Sequence, residues 1–100
     1  MSGSKNKPDE LAPPPAVFSQ GGHEVLRAFI VDKGLHVSLR RAFDDPATWG
    51  IMIADIARHA ARVYAAEMDM SEDAALERIR SLFQAELDRP TDPGTTSARN

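Results

Sequence analysis

Between Trp49 and Tyr64 the bulky apolar residues recur at helical spacing. Setting successive residues about 100° apart places Trp49, Met52, Ile53, Ile56, Ala60, Val63 and Tyr64 on one side of the axis. Beside them runs a second stripe, Gly50, Ala54, Ala57, Ala61 and Ala65, built of small residues throughout. The two stripes together span roughly 220° of the circumference, well beyond the stripe of at least about 100° that suits a helix lying on one core. The pattern predicts a helix covered on two sides, with a second helix, from this chain or from a partner, close against the alanines. Asp45 as a cap and Pro46 at the first helical position start it, and Met68-Asp69 marks its end. Ser71, followed by Glu72 and Asp73, starts a second helix, because a hydroxyl cap and first-turn acids both suit exposed backbone N–H groups. Ala75, Leu76, Ile79, Leu82, Phe83 and Leu87 line its apolar side, and Arg89-Pro90 stops it.

Upstream the period changes to two. Residues 23–31, HEVLRAFIV, and 35–40, LHVSLR, read as the strands of a hairpin around Asp32-Lys33-Gly34, a three-residue connection with a left-handed residue. In the second strand Leu35, Val37 and Leu39 alternate with His36, Ser38 and Arg40, so one face is buried. The first strand is apolar on both faces and is expected to be the more central. Residues 1–21 are polar and contain Pro13-Pro14-Pro15, the composition of a flexible extended arm, and residues 90–100 read as a disordered polar tail. The expected domain is therefore residues 22–89, an α+β fold in the order ββαα with an antiparallel hairpin packed on two helices.

Only about 70 residues are then left to build a core, a marginal size that small folds support with disulfides, metals or oligomerisation. The chain has no cysteine. A lone hairpin is also marginal in water and leaves edges open, so the expectation is a homodimer that completes the sheet across a two-fold axis. A monomer whose arm covers the edge through Val17 and Phe18 is the competing arrangement. The net charge of −3 argues against a protein that coats nucleic acid, and there is neither a secretory leader pattern nor an apolar run long enough to span a bilayer. These features read as cytoplasmic.

Candidate chemistry is sparse. Arg40 and Arg41, with Arg58 and Arg62 one turn apart on the first helix, are candidates for an anion site near the strand-to-helix junction, set against an internal charge network with Asp44, Asp45 and Asp55. Trp49 and Tyr64, on one side of the helix, are candidates for a pocket taking a planar ligand, although such residues more often form core. Asp55 and His59, four apart, are too few for a metal site, and no nucleophile elbow or glycine-rich phosphate loop occurs, so no enzyme, metal or cofactor is expected.

The block Leu39-Arg40-Arg41-Ala42-Phe43-Asp44-Asp45-Pro46, continued through Trp49-Gly50 and Asp55-Ile56-Ala57-Arg58-His59, resembles a family of short bacterial proteins, mostly alphaproteobacterial, known as a domain of unknown function. The resemblance runs from about Glu24 to the C-terminal tail. It implies the domain limits and a bacterial, cytoplasmic setting, and carries no catalytic residue across. The reading that follows is a small interaction or adaptor module acting with itself and an unknown protein partner. The alternative is a small-ligand or anion-binding protein using the arginines.

Overall fold

The chain first reverses at Asp32 and Lys33, whose φ angles are 50° and 69°. Two successive left-handed residues make the primed hairpin turn whose twist matches that of the flanking strands. The connection is thus two residues long, not three, and Gly34 opens the second strand opposite Val31. The computed structural model describes residues 6–91 and 94–99. The strands are β1 (Leu26–Val31) and β2 (Gly34–Arg40), antiparallel, with Leu26 opposite Leu39, Ala28 opposite Val37 and Ile30 opposite Leu35.

A third strand, β3 (Thr95–Arg99), lies parallel to β2, so the sheet order is β1-β2-β3 and β2 is the central strand. Two expectations change here. Residues 95–99 are strand where a disordered tail was expected, and β1, apolar on both faces, is at an edge. The reason is shared: Thr95-Thr96-Ser97-Ala98-Arg99 is held by backbone pairing to β2 rather than by burial of large side chains. The approach to β3 depends on Gly94, with φ of 67°, because a Cβ there would stand 2.0 Å from the Leu35 carbonyl oxygen. The hairpin edge assigned to a second copy is therefore filled from the same chain, and β1 keeps its outer edge.

Within the segment expected as a flexible arm, α1 (Pro15–Gln20) forms a short helix that ends at Gly21, whose φ of 74° suits glycine. Residues 1–5 of that arm and residues 92, 93 and 100 of the tail lie outside the described residues.

Two long helices follow, α2 (Ala47–Glu67) and α3 (Glu72–Asp88). Asp45 Oδ1 accepts from the Ala47 N–H at 2.9 Å and Pro46 already has helical angles, so Asp45 caps α2 as its type and position predict. Ser71 Oγ accepts from the Ala74 N–H at 3.1 Å and caps α3. The helices pack on each other through the small stripe. Ala61 is fully buried and Ala75 is 4% exposed, and these two are the buried apolar residues among the described residues. The helix expected against the alanines is thus α3 of the same chain.

Candidate functional site

Docking α3 on the alanine stripe leaves the bulky side of α2 uncovered. Ile53, Ile56, Val63 and Tyr64 remain 39–52% exposed. Alanines bring the two backbones close, but the larger side chains flare apart on either side and open two hollows along the helical hairpin. One, of about 260 Å³, has Gly50, Ala54 and Ala57 as its floor, Ile53, Leu76, Ile79 and Phe83 as its walls, and Arg58 and Arg80 at its rim. The other, of about 540 Å³, is lined by Tyr64, Met68, Met70, Ala75, Arg78, Ile79 and Leu82.

The sheet repeats the theme. Its register puts Leu26, Ala28, Ile30, Leu35, Val37 and Leu39 on one face, with Ala98 of β3 beside Leu39. Every large side chain on this face is apolar and none is buried; Ile30 is 72% exposed. Arg27, Phe29, Val31, His36, Ser38 and Arg40 make up the mixed opposite face. Among the described residues the strands contact one another and α2 contacts α3, and no strand Cα lies within 8 Å of a Cα of α2 or α3. The chain passes from α3 back to β3 after Asp88, and from β2 into α2 through residues 41–46. There Trp49 Nε1 donates to the Arg41 carbonyl oxygen at 2.8 Å and the Trp49 ring meets Phe43 edge-on at 5.9 Å.

Surface area and dimensions agree. The chain exposes 8835 Å², whereas a folded monomer of 10.9 kDa exposes about 5,600 Å². The radius of gyration is 15.9 Å, against about 13 Å for a compact domain of 100 residues.

The four arginines do not form one cluster. Arg40 donates from Nε to the Glu24 carbonyl oxygen at 2.8 Å, and with Arg41 and Asp44 lines a small hollow of about 240 Å³. Arg58 lines the first helical hollow instead. Arg62 donates to His59 Nδ1 at 3.3 Å and approaches Glu72 at 3.7 Å, so it ties α2 to the start of α3. His59 therefore takes its contact from Arg62, not from Asp55. Trp49 and Tyr64 are also separated: fifteen helical residues place them roughly 22 Å apart along the axis, and Tyr64 lines the second hollow while Trp49 is engaged at the junction. A single pocket does not contain both. Among the described residues no group of three His, Cys, Asp or Glu side chains could hold a metal ion, and no helix is long and apolar enough to cross a membrane.

A linkage with no sequence signal joins the arm to the sheet. Arg27 on β1 pairs with Glu10 of the arm and with Glu24 at 3.0 Å, and lies 5.5 Å from the Phe29 ring centroid. The hydrogen bond to Glu10, then the charge of Glu24, raise the Arg27 pKa above its ordinary value. Residues seventeen apart with a proline run between them carry no periodic pattern, so only the tertiary structure brings them together.

Comparison with known proteins places this geometry in a family. Residues 10–91 match the family described as a domain of unknown function, DUF5076. The match begins inside the arm and ends before β3. A solved structure from the photosynthetic bacterium Rhodopseudomonas palustrus CGA009, provisionally named a pyruvate dehydrogenase, is 50% identical over the whole of both chains and superposes with a TM-score of 0.67. No curated protein matches the chain. The chain belongs to the DUF5076 family.

Proposed function

We propose that this DUF5076 member is a homo-oligomeric interaction module, a dimer whose single core is assembled from two chains. The observation that carries the reading is the pair of uncovered apolar surfaces, the Leu26–Leu39 sheet face and the bulky side of α2, in a chain whose strands and helices do not lie on each other. Sheets and amphipathic helices are stable only when such faces are covered. Laying the sheet of one chain on the helical hairpin of the other covers both reciprocally. The chain's surface exceeds that of a compact monomer by about 3,000 Å². Burying half of that excess on each of two chains gives an interface within the range of obligate dimers, roughly 2,000–5,000 Å².

The anion-binding alternative has less support. Arg40 and Arg41 still adjoin, but Asp44 shares their hollow, and Arg58 and Arg62 are elsewhere. Inorganic phosphate that raised the melting temperature of the native chain and not of an Arg40→Gln, Arg41→Gln variant would revive it. Dehydrogenase is said of the Rhodopseudomonas protein. We infer no such reaction here, because the chain's residues offer neither a glycine-rich phosphate loop nor an acid–base pair.

The test is light scattering on the full chain over a dilution series. Twice the 10.9 kDa chain mass is expected at every concentration where the protein is folded. Ile30→Asp and Ile56→Asp, one on each apolar surface, are expected to abolish the dimer. A folded 10.9 kDa monomer with cooperative melting would overturn the reading.

A further inference from the structure

The edge strand β1 bonds to β2 on one side only. The Val25 carbonyl oxygen accepts from the Arg40 N–H at 3.0 Å, so Val25 and Arg40 are a hydrogen-bonded pair, and the alternation of an antiparallel ladder makes Arg27, Phe29 and Val31 the residues that bond to β2. The N–H and C=O groups of Leu26, Ala28 and Ile30 point the other way. Among the described residues none of them has a backbone partner, and β2 is the one element that packs against β1. Edges that face water are usually guarded by lysine, proline or a bulge. β1 has neither lysine nor proline, its pairing with β2 runs unbroken from Leu26 to Val31, and its single charge, Arg27, is engaged by Glu10 and Glu24. Ala28, in the middle of that edge, is exposed.

Resting on the dimer reading, we propose that β1 pairs antiparallel with β1 of a second copy across a two-fold axis at Ala28, joining two three-stranded sheets into one of six strands. The register follows from the residues. With Ala28 opposite Ala28, Leu26 falls opposite Ile30 and Ile30 opposite Leu26, so all three outward residues of each chain exchange both of their backbone bonds. Moving the axis to Arg27 would set two guanidinium groups directly opposite each other, which destabilises a strand pair. Moving it to Phe29 would place Leu26 opposite Asp32, inside the hairpin turn. With the axis at Ala28, Arg27 meets the partner's Phe29, the kind of ring it already approaches at 5.5 Å in its own chain. Directly opposed residues share a face of a sheet. The Leu26–Leu39 faces of the two chains therefore lie on the same side and form one continuous apolar surface for the helical hairpins to cover.

Hydrogen exchange on the full chain, followed residue by residue by NMR, reads the edge directly. An open edge leaves the N–H groups of Leu26, Ala28 and Ile30 exchanging fast while β2 protects those of Arg27, Phe29 and Val31. Pairing is expected to slow all six, the outward three by at least about a hundredfold relative to unprotected amides. The chain has no cysteine, so Ala28→Cys adds one thiol per chain, and Cα atoms about 5.5 Å apart across the axis suit a disulfide. A disulfide-linked product of doubled mass is expected from Ala28→Cys under mild oxidation and not from Ala66→Cys, which is exposed on α2. Alternating protection in a chain that light scattering shows to be dimeric would overturn the edge pairing and leave the dimer standing. Uniform protection without the disulfide would give the edge to another occupant, the chain's own arm included, and overturn the second copy. Monomers at all concentrations would overturn both readings.

Discussion

Trp49 Nε1 donates a 2.8 Å hydrogen bond to the carbonyl oxygen of Arg41, closing the loop between the last residues of β2 and the first turn of α2. An indole eight residues past Arg41 is thus the loop's clasp. The Trp49 ring also meets Phe43 edge-on, so both the polar and the apolar edge of the indole hold this loop. Trp49→Phe keeps an aromatic ring but loses the donor. The expected destabilisation is about 1 kcal/mol, a fall in melting temperature of roughly 4–8 °C by circular dichroism, with helix content unchanged. No change in melting temperature would show that Phe43 and the chain geometry suffice.

The hairpin turn is strained where it need not be. Lys33 sits at φ of 69°, a region that costs a side-chain-bearing residue about 1–2 kcal/mol. Glycine avoids that cost and gives back roughly 0.5–1 kcal/mol in unfolded-state entropy. Lys33→Gly is therefore expected to stabilise the protein by up to about 1 kcal/mol, read as a higher midpoint in urea with the same slope. A lower midpoint would contradict the two-residue turn.

Position decides what an alanine on α2 tolerates. Ala61 is fully buried against α3, whereas Ala66 is exposed. Ala61→Leu is expected to force the helices apart and cost about 1–3 kcal/mol, while Ala66→Leu should stay within about 0.5 kcal/mol of the parent. Equal effects in thermal melts would mean that α3 does not pack on the alanine stripe.

If the core is shared between chains, folding and association are one equilibrium. The melting temperature of the full chain is then expected to rise with protein concentration, by about 1.4 kcal/mol of stability for each tenfold increase. Differential scanning fluorimetry at concentrations from micromolar to submillimolar measures it. A constant melting temperature combined with a monomeric mass would remove the dimer.

Periodicity and capping determined the local structure. The spacing from Trp49 to Tyr64, Asp45 and Ser71 as caps, and the alternation from Leu35 to Arg40 each act over a few residues, so the helices and the hairpin were legible one residue at a time. The wide apolar arc of α2 predicted cover on two sides; within the chain α3 covers the alanine stripe, and Ile53, Ile56, Val63 and Tyr64 stay exposed.

Partner choice was decided by the tertiary structure. The pattern could not say that α3 takes Ala61 and leaves Ile56 and Val63 open, since both stripes are apolar and only close approach of two backbones separates them. Nor could it place β3, whose polar residues are held by backbone hydrogen bonds that any sequence can make. The arginines show the same limit. Four cations near one another in sequence became a strand-end pair, a groove-rim residue and a helix-to-helix tie, because a rigid helix carries residues 58 and 62 about 14–20 Å along its axis from the junction at Trp49.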